Sequence, residues 1–212
     1  MSWAEWDAHR ALSGDAVRDS LEQSRGRLTS ESAQRVRHYT GDGFSQMNKR
    51  LRDGTQDAAD KKGTDALGKI VGKSKASSDM VLLHGRTHLA EVKPGDDIHE
   101  PGFLSTTTDS AMARNFAGVG KNNAIVRVRL KQGESALSTR GLTDNPTEKE
   151  VLLPAGQHYR VLNVQTVKGQ FGQPTRLVDV EIHHDEDAGS NRALTETTRS
   201  ARRLSADVEK GK

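Results

Sequence analysis

The sequence predicts an α+β fold in which helices come first and a β core follows. Two observations carry this. Apolar residues at helical spacing are confined to roughly the first 70 of the 212 residues, and from residue 79 onward they fall in short runs punctuated by turn residues such as Pro94-Gly95 and Pro101-Gly102. Helices followed by many short strands is the order of an α+β domain, not of a doubly wound sheet. No internal repeat interrupts it.

Residues 3–25 read as a helix with a narrow apolar face, Trp3, Trp6, Leu12, Val17 and Leu21, and both tryptophans read as packing residues. Thr29 is placed to cap a second helix carrying Ala33 and Val36, which Thr40-Gly41-Asp42-Gly43 breaks. Phe44, Met47, Asn48 and Leu51 mark a third helix; residues 53–64 read as a polar connection and 66–71 as a short helix. Residues 80–83 form the first strand, 91–102 a loop, and 103–107 a second strand. Asp109 caps a helix over Ser110–Ala117 that Gly118 ends. Residues 124–130 alternate apolar positions with Arg127 and Arg129, a half-buried strand, and 151–153, 159–167 and 176–182 supply three more.

Composition sets limits. Hydrophobic residues make up 33% of the chain and charged ones 29%, with a mean hydropathy of -0.76, so the core is modest and the surface highly charged. The absence of cysteine excludes disulfides and thiolate zinc sites. No apolar run approaches the ~20 residues of a membrane span, and Met1 to Trp6 lacks the basic-then-apolar pattern of a secretory signal. The net charge of +3 comes from the C-terminal end: residues 188–212 hold six Lys/Arg and three Asp/Glu, leaving 26 of each sign elsewhere. Such a tail suits contact with nucleic acid or an acidic surface, but a solubilising disordered terminus is the simpler reading.

Three motifs carry chemistry. Glu148-Lys149-Glu150 places two carboxylates two residues apart at the head of an apolar run, and on a strand both leave the same face. Like charges on one face repel and cost desolvation. Taken alone the pattern reads as a solvated strand entrance. Upstream lies Phe103-Leu104-Ser105-Thr106-Thr107, by itself a plain β-branched strand, and further upstream Val81-Leu82-Leu83-His84-Gly85-Arg86-Thr87. In this order the three resemble the arginine-specific mono-ADP-ribosyltransferases, the toxin-like R-S-E class. Leu28-Thr29, Tyr39-Thr40-Gly41-Asp42-Gly43-Phe44 and Asn48-Lys49-Arg50-Leu51-Arg52 look like the helical lead-in of its exoenzyme-type members. The resemblance covers about residues 28–185. It implies N-terminal helices packed on a mixed two-sheet β core, and a division into a helical extension (1–27), the transferase domain (28–185) and a basic tail (186–212).

The resemblance further implies NAD as substrate, no metal, and a host protein acceptor modified through arginine. Glu150 would be the catalytic glutamate, stabilising an oxocarbenium-like transition state. Glu148 would face the acceptor. In the family, Glu here goes with arginine and Gln with other acceptors, and a carboxylate can both pair with a guanidinium and help take its proton. Ser105 would hold Glu150, and the loop 138–147 would present the acceptor. The NAD-binding set is His84, Gly85, Arg86, Thr87, Ser105 and Thr107, with Gly85 letting nicotinamide reach the backbone. Here the chain departs from the family: His84, not arginine, precedes Gly85, and the arginine follows at Arg86. Either Arg86 braces the phosphates, or His84 takes the position and meets a ribose hydroxyl as in the diphtheria-toxin branch. The expectation adopted is that both line the cleft, with His84 in direct contact.

Other motifs read as inert. His84 and His88 lie ~13 Å apart on a strand, too far to share a metal. His183-His184-Asp185-Glu186-Asp187 reads as a solvated strand end, Gly118-Val119-Gly120-Lys121 lacks phosphate-loop spacing, and Arg114 reads as an exposed helical arginine. Two alternative functions stand beside transfer: an NAD glycohydrolase with water as acceptor, and a non-catalytic virion or effector module on a degenerate transferase fold. Family members occur as bacterial toxins, effectors and phage proteins, which implies action in a target-cell cytoplasm after delivery by phage or a secretion system.

Overall fold

The computed structural model describes residues 14–120, 122–169 and 171–183. The expectations placed on residues 3–13, on Lys121, on 184–187 and on the basic tail fall outside these residues.

Helix α1 spans Gly14–Arg25 and buries Val17 and Leu21 in the main core, so it packs as part of the folded unit. Helix α2, Ser30–His38, begins where Thr29 accepts the backbone N–H of Ser32 at 3.2 Å. The expected break at residues 40–43 does not occur. The chain passes through one π-helical turn, Tyr39–Gly43, directly into α3, Phe44–Asp53. Tyr39 is buried edge-on against Phe103, ring centres 5.5 Å apart, and this packing outweighs the low helix propensity of the two glycines. Residues 58–64, anticipated as connection, are the first half of α4, Ala58–Gly72. Asp57 and Asp60 form a reciprocal capping box, and only the later Leu67, Ile70 and Val71 are buried, which is why periodicity revealed the second half alone.

The strands are β1 (Met80–Arg86), β2 (Asp97–Glu100), β3 (Leu104–Thr107), β4 (Ala124–Leu130), β5 (Leu137–Ser138), β6 (Glu150–Leu153), β7 (Gln157–Lys168) and β8 (Pro174–His183), with α5 at Ser110–Ala117 between β3 and β4. The architecture is α+β. The eight strands form one hydrogen-bonded order, β2-β7-β8-β4-β1-β3-β6-β5, in place of two separate sheets. The narrowest link is β1 to β3, where the pairing is Leu83↔Thr107 alone; by contrast β1 and β4 pair along all seven residues. All pairings with a defined register are antiparallel except β4 with β8. Two short strands lay hidden in segments read as loop: β2, whose residues are mostly half-buried or exposed, and the two-residue β5.

One core cluster fills the β4, β7 and β8 side with Val126, Val128, Val161, Val178 and Val180. A second joins α2 and α4 to β5 and β6 through Val36, Tyr39, Leu67, Leu137 and Leu152. A third seats α5 on β1, β4 and β8 through Leu83, Ala113, Ala117, Ile125 and Leu177. The π-helical turn is tied to the strand that carries Ser105 by one side chain. Buried Asn48 accepts from the Phe103 N–H at 2.9 Å and donates to the Phe103 carbonyl at 3.1 Å and to the Tyr39 hydroxyl at 3.0 Å.

Replacing Asn48 with Ala leaves the buried Phe103 backbone pair without its partner. The expected loss is about 3 kcal/mol, at about 1–3 kcal/mol per unsatisfied buried group. Urea unfolding at unchanged slope measures it, and a loss below about 1 kcal/mol would show that Asn48 does not anchor the helices to β3.

Candidate active site

A cleft of about 260 Å³ opens where β1, β3 and β6 meet α5 and the π-helical turn. Tyr39, Thr40, Gly41, Phe44 and Asn48 form one wall, and Phe116 stands on another. His84, Gly85, Ser105, Thr107, Glu148 and Glu150 all line it.

Glu150 is the first residue of β6, paired in register with Thr107, while Ser105 lies diagonally opposite on β3. The Ser105 hydroxyl donates a short hydrogen bond to Glu150 Oε1. Glu150 is 7% exposed, and burial pushes its pKa up to about 7; the Ser105 hydrogen bond works against that shift and the charge of Glu148 adds to it. Burial also raises the pKa of Glu148.

The two carboxylates share the cleft, but not by strand periodicity. Glu148 ends a 3-10 turn, Pro146–Glu148, and Lys149 is left-handed at φ 49°. A left-handed lysine costs about 1–2 kcal/mol, and several bonds hold it. Lys149 Nζ meets Asp109 Oδ2 at 2.8 Å, and the Thr107 hydroxyl donates to the Glu148 carbonyl at 2.7 Å while accepting the Asp109 N–H at 3.0 Å. Asp109 also caps α5. Thr107 thus lines the cleft with its hydroxyl already committed to the Glu148 turn.

His84 and Arg86 share a face of β1, which runs to Arg86. His84 Nδ1 lies 2.8 Å from the Ser105 carbonyl. Burial lowers the His84 pKa to about 4, so the ring is neutral at pH 7. A carbonyl only accepts, hence Nδ1 carries the proton and Nε2 is left as an acceptor. Arg86 does not line the cleft as expected. It lines a smaller adjoining depression that His84 shares, because the buried Glu100 carboxylate holds it at 3.6 Å and Arg52 at 2.8 Å. Thr87, exposed and past the end of β1, is likewise absent from the cleft lining.

Gly85 has a second reason to be glycine. A Cβ there would lie 2.1 Å from the Ala113 carbonyl and 2.6 Å from the Ala117 nitrogen, so α5 rests directly on its backbone. Sequence reasoning gave no site role to Phe44 and Phe116, which are 50% and 49% exposed in the cleft. An aromatic at an exposed helical position was the available signal. Asn145 lines the cleft from the loop expected to present an acceptor. Among the described residues no group of three or more His, Cys, Asp or Glu side chains converges to hold a metal.

A family model described as ADP-ribosyltransferase exoenzyme matches residues 17–185. Mav of Mycobacterium avium (strain 104), named provisionally as an NAD(+)–arginine ADP-ribosyltransferase, is 33% identical over 150 residues, covering 69% of this chain and 17% of Mav. The chain spans between 17% and 36% of the length of three curated relatives it matches. Among solved structures, Plx2a, an ADP-ribosyltransferase toxin from Paenibacillus larvae, superposes with a TM-score of 0.67 at 17% identity, covering 81% of this chain and 95% of Plx2a. C3stau2 from S. aureus, solved with NAD, gives 0.66 at 17% identity over 80% and 94%.

The raised Glu150 pKa has a signed consequence for stability. The folded state keeps this proton up to about pH 7 while the unfolded chain releases it near 4.5. The contribution is therefore complete below about 4.5 and lost as pH rises through 7. Glu150→Gln should gain stability relative to wild type across that window, as read by denaturant unfolding at several pH values. A carboxyl NMR titration should put the Glu150 midpoint near 7, and Ser105→Ala should move it higher. A midpoint near 4.5 contradicts the buried geometry.

Proposed function

The chain belongs to the ADP-ribosyltransferase exoenzyme family, and on that premise we propose that it transfers ADP-ribose from NAD to an arginine side chain of a protein acceptor, releasing nicotinamide. The observation that carries the reading is the pair Glu148 and Glu150 in one cleft, with Glu150 fixed by the Ser105 hydroxyl.

The reaction breaks the bond between the nicotinamide nitrogen and ribose C1′, the electron pair leaving with nicotinamide. Positive charge develops on C1′ and the ring oxygen, as in glycoside cleavage. The free protein holds Glu150 near half-ionised at pH 7. A bound nicotinamide cation and then the oxocarbenium both favour the carboxylate, so its charge is strongest where the transition state needs it. Such preorganised electrostatic help is worth roughly 3–4 kcal/mol. Ser105 keeps the carboxylate in one rotamer. Neutral His84 offers Nε2 as an acceptor for a ribose hydroxyl, and Arg86 supplies positive charge for the pyrophosphate from the adjoining depression.

A guanidine nitrogen then bonds to C1′ and gives up a proton. Protonated guanidinium, with a pKa above ~12, is a poor nucleophile. Glu148 pairs with it and takes that proton, and burial, which raises the Glu148 pKa, makes it a better base. Hydrolysis by water has less use for this second carboxylate, so its place in the cleft favours transfer. The provisional name of Mav, an arginine transferase, points the same way. The acceptor is a protein of a target cell, met in its cytoplasm. Among the described residues no helix is long and apolar enough to cross a membrane.

With NAD and a small guanidine such as agmatine, Glu150→Gln should lose both nicotinamide release and transfer by 10²–10³-fold, on the scale of a lost preorganised electrostatic group. Glu148→Gln should lose transfer while keeping most NAD hydrolysis. Retention of more than about a tenth of the activity in Glu150→Gln contradicts the assignment. Equal loss of both activities in Glu148→Gln would assign Glu148 to NAD.

The first motif makes a separate prediction. His84→Ala should raise the Michaelis constant for NAD more than Arg86→Ala, and only the Arg86 contribution should weaken with added salt, as a longer-range charge effect does. NAD affinity of both variants at low and high ionic strength decides it. Loss of binding in Arg86→Ala alone would place Arg86, not His84, against NAD.

A further inference from the structure

We infer that Arg140 is a positioning residue for the transfer step, anchoring the Glu148 loop to helix α1; the inference rests on the transfer reading above. The loop leaves β5 at Ser138 and reaches Glu148 ten residues later, with Asn145 and Glu148 lining the cleft. Its far side is bound to α1. The Arg140 guanidinium makes a short contact with Asp19 through Nη1, reaches Asp15 Oδ1 at 3.2 Å through Nη2, and lies 3.4 Å from Glu22 Oε1 through Nε. Residues 15, 19 and 22 follow helical i, i+4, i+7 spacing, so one face of α1 presents three carboxylates to Arg140, with Asp15 shared with Arg18 of the same helix.

Flanking contacts repeat the pattern. Arg25 donates to the Ser138 carbonyl at 2.9 Å, and the Ser138 hydroxyl donates to Glu22 at 3.1 Å. Further along the loop, Arg37 of α2 meets Asp144 at 3.2 Å, one residue before Asn145. The loop is thus tied to helices at Ser138, Arg140 and Asp144, and the run from Asn145 to Glu148 is held between those ties and the Thr107 and Asp109 contacts at its far end.

The consequence is a division of labour. Glu150 and Ser105 sit on paired strands and hold their geometry chiefly through β3 and β6, with Thr139 of the loop adding a bond to the Glu150 carbonyl. Glu148 sits on the turn that follows the loop, so its aim depends on where the loop is anchored. Acceptor transfer needs Glu148 in place within a fraction of an ångström, whereas cleavage of NAD relies on Glu150. Arg140 is absent from the cleft lining, so it acts on the site without touching the reactants.

The test is the fraction of cleaved NAD that ends on agmatine, measured with nicotinamide release for wild type, Arg140→Ala, Arg140→Lys and Asp19→Asn. Arg140→Ala should lower the transferred fraction about tenfold, within the ~10²-fold that an ångström of misplacement can cost, while nicotinamide release without acceptor stays near wild type. Asp19→Asn should reproduce part of the loss without touching the loop, and adding it to Arg140→Ala should bring little more, as two sides of one interaction do. Arg140→Lys should recover part of the transfer. Added salt should lower the transferred fraction more steeply in wild type than in Arg140→Ala. An unchanged fraction in Arg140→Ala, or a proportional fall of both activities, overturns the anchor while the transfer reading stands. A wild-type protein that releases nicotinamide and never modifies agmatine overturns the transfer reading, and the anchor with it.

Discussion

Glu150 is a carboxylate almost out of water, with the Ser105 hydroxyl as its close partner and a second carboxylate nearby. That single unfavourable burial organises the rest of the site. A group with its pKa pushed to about 7 destabilises the folded state at neutral pH, and the surroundings must offset it. The β3–β6 pairing fixes Ser105 and Thr107 beside it, and the loop residue Thr139 donates its N–H to the Glu150 carbonyl at 3.2 Å. Asn48 fixes the start of β3 to the π-helical turn, and α5 presses on Gly85 at the back of the cleft. Each of these contacts sets where a cationic transition state would meet a negative charge.

The Glu148 turn shows a different economy. Lys149 carries the one positive φ of a non-glycine residue among the described residues, and it stands between the two carboxylates. Backbone strain held in place by several bonds is a common mark of functional sites. Here it turns Glu148 into the cleft from a 3-10 turn, and Asp109 links that turn to the cap of α5. The two acids therefore arrive by different routes, Glu150 from the sheet and Glu148 from a loop tied to α1.

Much of this was legible in the sequence. The caps at Thr29 and Asp109 and the strands at Met80–Arg86 and Ala124–Leu130 follow from local patterns, whereas the expectation that Ser105, Glu148, Glu150 and His84 share a cleft comes from the family resemblance. What escaped had no local signal. The first half of α4 buries no side chain and is helical because of its capping box and the apolar half behind it. The glycines at 41 and 43 read as a break, yet buried Tyr39 carries the helix through them. Periodicity predicted the shared face of Glu148 and Glu150 for a reason that does not apply, since no rule anticipates a left-handed lysine. The displacement of Arg86 depends on Glu100, which lies fourteen residues away in a stretch read as loop.

The account turns on where ADP-ribose is attached. Incubation of the protein with isotopically labelled NAD and a target-cell lysate, followed by fragmentation mass spectrometry that preserves the glycosidic bond, reads this directly. The account predicts labelled ADP-ribose on arginine guanidinium groups of acceptor proteins. Label confined to free ADP-ribose, or attached to side chains other than arginine, would contradict it.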